Sequence, residues 1–439
     1  MTSKILAQLL LLLTTIFWPG GGHAQPAAPG PTQAPQTLTL QDALAQARKN
    51  SVDFQAALTD QAVAHEDKVQ ARAALLPSVT YNNQFLYTEG NGTPSGRFVA
   101  NNSVHEYLSQ GDAHQVFAYS GIADYRRSRA LESVARAKAE IATRGLVVTV
   151  VQAYYGLLAA QRKYATNQAA AAEADRFFKI SQQLEGGGEV AHSDVIKAQI
   201  QYQSTQRDLR EAQLAMDKSR LDLAVLLFPN FNENFTIVDD LDLAPPLPSL
   251  EEFAKAAQTK NPQLLVSTAS VQAARQEVSS ARGGYLPSLV LDYFYGIDAT
   301  HFAVHTDGVR NLGYAATATL NVPVWNWGAT HSKVIQADLK RKQAERELSL
   351  SERKLLAAVR SSYAEAEAAH SELDLLKSSA ELAAESLKLT TLRYQAGEST
   401  VLEVVDAQNT LNQSRNVYSD GVVRYRTALA NLQTLTGTM

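Results

Sequence analysis

Glu403 and Asp406 stand three positions apart in the stretch Val401-Leu-Glu-Val-Val-Asp406. On a helix that spacing places both carboxylates on one face, and their residue types alone make them an ordinary solvated pair. Asp194 and Lys197 repeat the spacing with one sign reversed. His301 and His305, four apart, have metal-ligand spacing only if helical; they fall in a Gly/Asn/Asp-bearing loop between 298 and 310, so no metal site is expected. Gly186-Gly-Gly188 lacks the Lys-Ser that a phosphate loop needs, which leaves a hinge or turn. No dinucleotide Gly-x-Gly-x-x-Gly, Gly-x-Ser-x-Gly elbow or His-Glu-x-x-His is present. No nucleophile or acid–base pair has supporting spacing, so neither an enzyme nor a cofactor is expected. Trp325 and Trp327, at a strand end, read as interfacial anchors.

These residues sit in a chain of 439, long enough for two or three ordinary domains. Residues 1–24 have a basic start at Lys4, an apolar run from Ile5 to Trp18, and the small-residue site Gly22-His23-Ala24. They read as a secretory signal peptide. Residues 25–37, rich in Pro, Gln and Ala, read as a tether. There is no cysteine, hence no disulfide and no lipid carried on Cys. Net charge is −4, or −5 without Lys4, and the basic residues are dispersed, which argues against a nucleic-acid partner. Past residue 24 no stretch approaches ~18 consecutive apolar residues. The rest of the chain is either soluble or enters a membrane by strands.

The chain spells one plan twice. ARAALLPSVTYNNQF (71–85) answers ARGGYLPSLVLDYFY (281–295), with Pro77 and Pro287 in register. Upstream, Thr39-Leu-Gln-Asp42 and Ser249-Leu-Glu-Glu252 both have capping-box spacing before a short amphipathic helix. Asn50-Ser51 and Asn261-Pro262 then break each pattern. Downstream, Gly188-Glu189 aligns with Gly397-Glu398. Between them run proline-free stretches rich in helix formers, about 124–184 and 329–395. At ~1.5 Å per residue each would span roughly 90–100 Å, too long for a compact domain and suited to a rod.

After each Pro the pattern alternates. Val79, Tyr81, Phe85 and Tyr87 share a face, with Asn83 the exception; Leu289, Leu291, Tyr293 and Tyr295 share another. A return strand at 312–324 is clear, and one near 113–121 is weaker. The stretch 90–96 has hairpin-loop character. Segments of about ten residues with apolar-out, polar-in alternation and terminal aromatics meet the requirement of an outer-membrane strand. Lipid tolerates no open sheet edge. Four strands are too few to close, since such barrels begin at about eight, so the chain must oligomerise.

Two repeats of helix, Leu-Pro-Ser hairpin, long helix, Gly-Glu turn and helix resemble the TolC-like outer membrane efflux proteins. The likeness runs from about Leu38 to Gly437 and is most specific at Gly397-Glu-Ser-Thr-Val-Leu-Glu-Val-Val-Asp-Ala-Gln408 and Asn321-Val-Pro-Val-Trp-Asn-Trp-Gly328. It implies a mostly α fold carrying part of a transmembrane β-barrel. Three chains would give four strands each to a twelve-stranded barrel in outer-membrane lipid, continued by a periplasmic α-helical barrel. It implies boundaries as well: a first repeat at 38–227 (hairpin about 77–121, long helices about 124–227), a linker in an equatorial belt at 228–248, and a second repeat at 249–439 (hairpin about 287–325, long helices about 329–436). The implied function is a passive exit duct. Its partners would be an inner-membrane pump of the RND, ABC or MFS type and a periplasmic adaptor.

The resemblance also implies a gate. Acidic residues just after the Gly turn would ring the periplasmic mouth, which assigns Glu403 and Asp406 to that ring and adds Asp194. Lys197, where the second repeat has Asp406, would pair with a neighbouring acid. Gly188, Glu189, Gly397 and Glu398 would form the tips on which an adaptor docks. The first repeat departs from the pattern in its Gly186-Gly-Gly188 turn and in a return strand without Pro or Trp. The acids of the linker, Asp239, Asp240 and Asp242, read as solvated. The alternative is a soluble periplasmic adaptor, which would show one α-hairpin flanked by soluble β domains.

Overall fold

The structure, a computed structural model, describes residues 36–87, 105–230, 234–241, 245–300 and 302–437. The signal segment, most of the tether, the loop 90–96, Asp242 and His301 lie outside these. The elements in order are β1 Gln36–Leu38, α1 Leu40–Asn50, α2 Val52–Ala73, β2 Ser78–Tyr87, β3 His105–Phe117, α3 Tyr119–Gly186, α4 His192–Leu227 and β4 Phe235–Ile237. The second copy follows with α5 Leu250–Lys260, α6 Pro262–Gly283, β5 Ser288–Ala299, β6 His305–Thr306, β7 Val309–Arg310, β8 Leu312–Asn321, α7 Ala329–Gln395 and α8 Val401–Thr436.

Local chemistry sets most boundaries. Thr39 and Asp42 close a full capping box on α1. At α5 only half of the expected box forms: Ser249 accepts from Glu252 N–H. Ser51 and Asn261 each end one short helix and cap the next, with Pro262 at the first turn of α6, where a missing N–H costs nothing. The two asparagines at these breaks also reach across the fold. Asn50 Nδ2 donates to Leu227 O at the end of α4, and Asn261 Nδ2 donates to Leu435 O at the end of α8, 3.0 Å away. Each repeat thus satisfies a helix-end carbonyl, otherwise an orphan, with the same side chain.

The return strand of the first copy is β3, which runs from His105 to Phe117; α3 already begins at Tyr119. The expected span of 113–121 was therefore too late at both ends. The signal was hidden because His105 to Gln115 is polar on both faces. In the second copy the strands end at Asn321, and 322–328 is not strand. The tether is also shorter than expected, since Gln36 and Thr37 belong to β1, paired in parallel with β4.

The four long strands form one antiparallel sheet in the order β2-β3-β5-β8, joined across the repeats through β3 and β5, so β2 and β8 are its free edges. Packing fixes the order of the helices. On the sheet side they stand α2, α3, α6, α7; towards the far turns they stand α4, α3, α8, α7. Buried positions along α7 (Ala366, Ala369, Ala383, Leu387, Tyr394) fall on the alternating three–four spacing of a coiled-coil seam, with alanines allowing close approach.

The core lies midway. The most apolar part of α3, around Val150, Val151, Tyr154, Leu157 and Leu158, is buried against Leu38, Leu223, Leu227, Phe235 and Leu241. Its apolar character serves this packing. Tyr154 Oη donates to Val238 O (2.8 Å) and Leu38 O (3.3 Å), pinning β1 and β4 to α3. Burial pushes the phenols of Tyr154 and Tyr155 up to about 12. The linker acids are engaged, contrary to the solvated expectation. Arg162 binds both oxygens of Asp239 (2.7 and 2.9 Å), and Arg426 lies 3.6 Å from Asp240. Their partners are on helices distant in sequence, which no local pattern reports.

Candidate functional site

The α3–α4 and α7–α8 turns differ in sequence and share a backbone. In the first, Glu189 N donates to Leu184 O (2.9 Å) and Gly188 N to Glu185 O (2.9 Å); in the second, Glu398 N donates to Arg393 O (2.9 Å) and Gly397 N to Tyr394 O (3.1 Å). These bond pairs define the Schellman motif. It requires a left-handed residue, supplied by Gly188 (φ 77°) and Gly397 (φ 73°). The departure at Gly186-Gly-Gly188 therefore leaves the turn unchanged, because only its last Gly is conformationally demanded.

Beneath the turns, Phe177, Ala198, Leu387, Tyr394, Val401 and Val404 pack together, with the rings of Phe177 and Tyr394 5.0 Å apart. This cluster holds the start of α8. Glu403 is tied to that start: Ser399 Oγ donates to one carboxylate oxygen (2.8 Å), Thr400 Oγ1 to the other (3.1 Å), and Glu403 N–H returns a bond to Thr400 Oγ1 (3.3 Å). These bonds, that from Ser399 foremost, hold its carboxyl below the usual Glu range. Asp406 is exposed and has no hydrogen bond or ion pair among the described residues. On α4, Lys197 donates to Asp194 (3.1 Å) one turn away. The pair cancels within the helix, and no ion pair among the described residues joins it to the acids of α8. Glu185 and His192 clamp the base of the first turn at 2.7 Å.

Sequence reasoning missed a set of polar links between the α3/α4 pair and the α7/α8 pair. Gln201 Nε2 donates to Asn409 Oδ1 (2.8 Å), Asn412 Nδ2 to Asn167 Oδ1 (3.3 Å), and Lys163 pairs with Asp420 (2.8 Å). These polar links lie between the two pairs, beside the apolar Phe177–Tyr394 contact that also joins them. The only sequence signal was Asn and Gln recurring at three–four spacing on α8.

The register puts Val79, Tyr81, Phe85, Tyr293, Tyr295, Tyr314 and Leu320 on one sheet face, all of them largely exposed. Asn83, the polar exception, accepts from Ser109 Oγ (2.7 Å), and Tyr81 Oη lies 2.9 Å from the same Ser109 Oγ. These three side chains are thereby linked across the β2–β3 pair. The other face is polar, as at His114–Asp292 (2.5 Å) and Asp292–Thr317 (3.2 Å). The outermost helices are also unpaired along apolar stripes: Leu375, Leu382 and Leu389 recur every seven residues on α7, and Ile196, Ile200, Leu214 and Leu221 line α4. Two α-hairpins mounted on one amphipathic sheet do not match the soluble-adaptor alternative.

The family model "Outer membrane efflux protein" matches residues 254–438. The chain is 24% identical over 400 residues to the outer membrane protein TolC of Vibrio cholerae, covering 90% of this chain and 89% of that one. It is likewise 24% identical over 423 residues to the alkaline protease secretion protein AprF of Pseudomonas aeruginosa, covering 92% and 85%. Among solved structures, the outer membrane protein VceC of Vibrio cholerae superposes with a TM-score of 0.79 at 16% identity, covering 91% of this chain and 96% of that one.

Proposed function

We propose, on the premise that this chain belongs to the TolC-like outer membrane efflux proteins and forms an outer-membrane exit duct, that three copies close into a ring gated at its periplasmic tips. The observation that carries this is the open sheet: apolar on one face, polar on the other, with β2 and β8 unpaired. Lipid forbids such edges, and three copies supply twelve strands. The same closure brings the α7 stripe of one copy to the α4 stripe of the next. A duct of this kind has no energy source of its own. An inner-membrane pump of the RND, ABC or MFS type supplies it, and a periplasmic adaptor docks on the tips at Gly188, Glu189, Gly397 and Glu398.

Asp406 is the principal gate acid, because its carboxylate is free to face the axis. Glu403 contributes charge while capping α8; Asp194 contributes less, since Lys197 neutralises it. Opening parts the polar links at Gln201–Asn409 and Asn412–Asn167 together with the Phe177–Tyr394 contact, and leaves the seams within each helix pair intact. The test is conductance in planar bilayers: D406N raises the open conductance or loosens block by multivalent cations more than E403Q does. A single D406C, in a chain without other cysteines, cross-links subunits through a short bifunctional reagent. Equal effects of D406N and E403Q, with no cross-link, remove the gate assignment.

A further inference from the structure

Between β8 and α7 the chain makes a turn that its residues do not favour. Ala329 N–H donates to Asn326 O (3.1 Å), and the two residues between, Trp327 (φ 53°) and Gly328 (φ 83°), are both left-handed. This is a type I′ turn. Such turns call for Asn-Gly or Asp-Gly, and the chain uses Asp307-Gly308 (φ 53° and 81°) between β6 and β7. A Trp in the first position costs about 1–2 kcal/mol of backbone strain. Strain of this kind persists where surroundings hold the residue. Among the described residues Trp327 meets only the edge of Trp325, 5.8 Å away, and an Asn326–Thr330 side-chain bond spans the turn; Trp327 is left 89% exposed and Trp325 76% exposed.

The internal repeat identifies what lies there. Within one chain, the segment after β3 packs against the segment before β5. A Cβ on Gly283 would stand 2.9 Å from Ser120 N, and the β3–β5 ladder continues to Phe117–Leu289. β8 is the second-copy counterpart of β3, and its far side is a free edge. The same relation carried to the next copy sets the segment after β8 against the residues before β2, where Leu76 is 61% exposed beside Pro77. The copies differ in length at this point. Tyr119 follows His114, the partner of Ser78, by five positions; Ala329 follows Asn321, the partner of Ser288, by eight. The extra residues build the Trp turn.

We infer that Trp325 and Trp327 form a clasp between subunits, seated on Leu76 and Pro77 of the next copy of this chain, which locks the periplasmic rim of the barrel. The inference rests on the closed ring proposed above, and is independent of its gate and cargo. The competing occupant is lipid, the interfacial-anchor role expected of tryptophans at a strand end.

The absence of cysteine makes the test direct. In full-length L76C/W327C, oxidation yields a ladder of cross-linked dimers and trimers that neither single variant gives. A disulfide needs Cα atoms within about 7 Å. Three strand spacings of about 4.8 Å separate β2 from β8 within one sheet, so the products are between chains. Beyond residue 24, Trp325 and Trp327 are the only tryptophans, and their fluorescence is unchanged in vesicles of phosphatidylcholine with brominated acyl chains. W327G separates clasp from strain: it relaxes the turn, yet lowers the temperature at which the oligomer dissociates, while W327F retains most of the resistance. Absence of the ladder, quenching by the brominated lipid, or a W327G oligomer at least as heat-resistant as the parent overturns the clasp. An intact, conducting ring with any of these results leaves the duct standing; a chain that forms no membrane oligomer removes the duct itself.

Discussion

Replacing Gly296 by Ala and, separately, Gly313 by Ala adds the same methyl to the same polar face of the sheet, at two residues paired with each other across β5 and β8. At Gly313 a Cβ meets nothing within 4 Å. At Gly296 it would stand 2.2 Å from Ser109 O and 2.4 Å from Gln110 Cα, both backbone atoms of β3. No rotamer change relieves such a contact. Restoring ordinary separation moves the strands apart by about 1 Å, past the ~3.2 Å limit of a good N–H···O bond. The two bonds flanking the Gln110–Gly296 pair are lost at about 1 kcal/mol each, with about 1–3 kcal/mol of overpacking. G296A is thus expected to cost about 3–5 kcal/mol per subunit, repeated at every subunit of the ring, and G313A to lie within ~0.5 kcal/mol of the parent. The assay is outer-membrane yield and the heat-resistant oligomer seen on gels without boiling. An equally stable oligomer for G296A and G313A would refute the register on which the apolar-out assignment depends.

Other consequences follow from single contacts. N261A removes both the cap to Leu264 N–H and the bond to Leu435 O; a loss of about 2 kcal/mol appears as roughly thirtyfold faster hydrogen exchange around the start of α6 and the end of α8. Y154F deprives Val238 O of its hydroxyl donor while Leu38 O keeps the Val238 N–H at 3.1 Å, so β4 loosens by about 1–3 kcal/mol, read as earlier proteolysis in the linker. Because burial raises Tyr154 and Tyr155 to about 12, the belt keeps its full stability below the ordinary Tyr value near 10 and loses it as pH climbs from there through 12, measurable as alkaline unfolding that Y154F blunts. Glu403 works in the opposite direction: its lowered pKa gives a contribution fully present above the usual Glu range and lost as pH falls through the lowered value. Acid therefore speeds exchange at the start of α8, and E403Q abolishes that pH dependence.

The sequence by itself determined what local chemistry controls. The two long helices, read as about 124–184 and 329–395 from proline-free runs of good helix formers, stand at Tyr119–Gly186 and Ala329–Gln395. The strand after each Leu-Pro-Ser was legible from alternation. Other features required the folded chain, because their partners lie far off in sequence. Asn50 and Asn261 read as helix breaks, and only the fold showed them capping α4 and α8. Asp239 and Asp240 looked solvated until packing brought Arg162 and Arg426 to them. The strand β3 lacks an apolar face of its own and is a strand because β2 and β5 flank it. Backbone preference and periodicity are properties of a stretch, whereas a hydrogen-bond partner across the fold is a property of the whole chain's path, which no stretch contains.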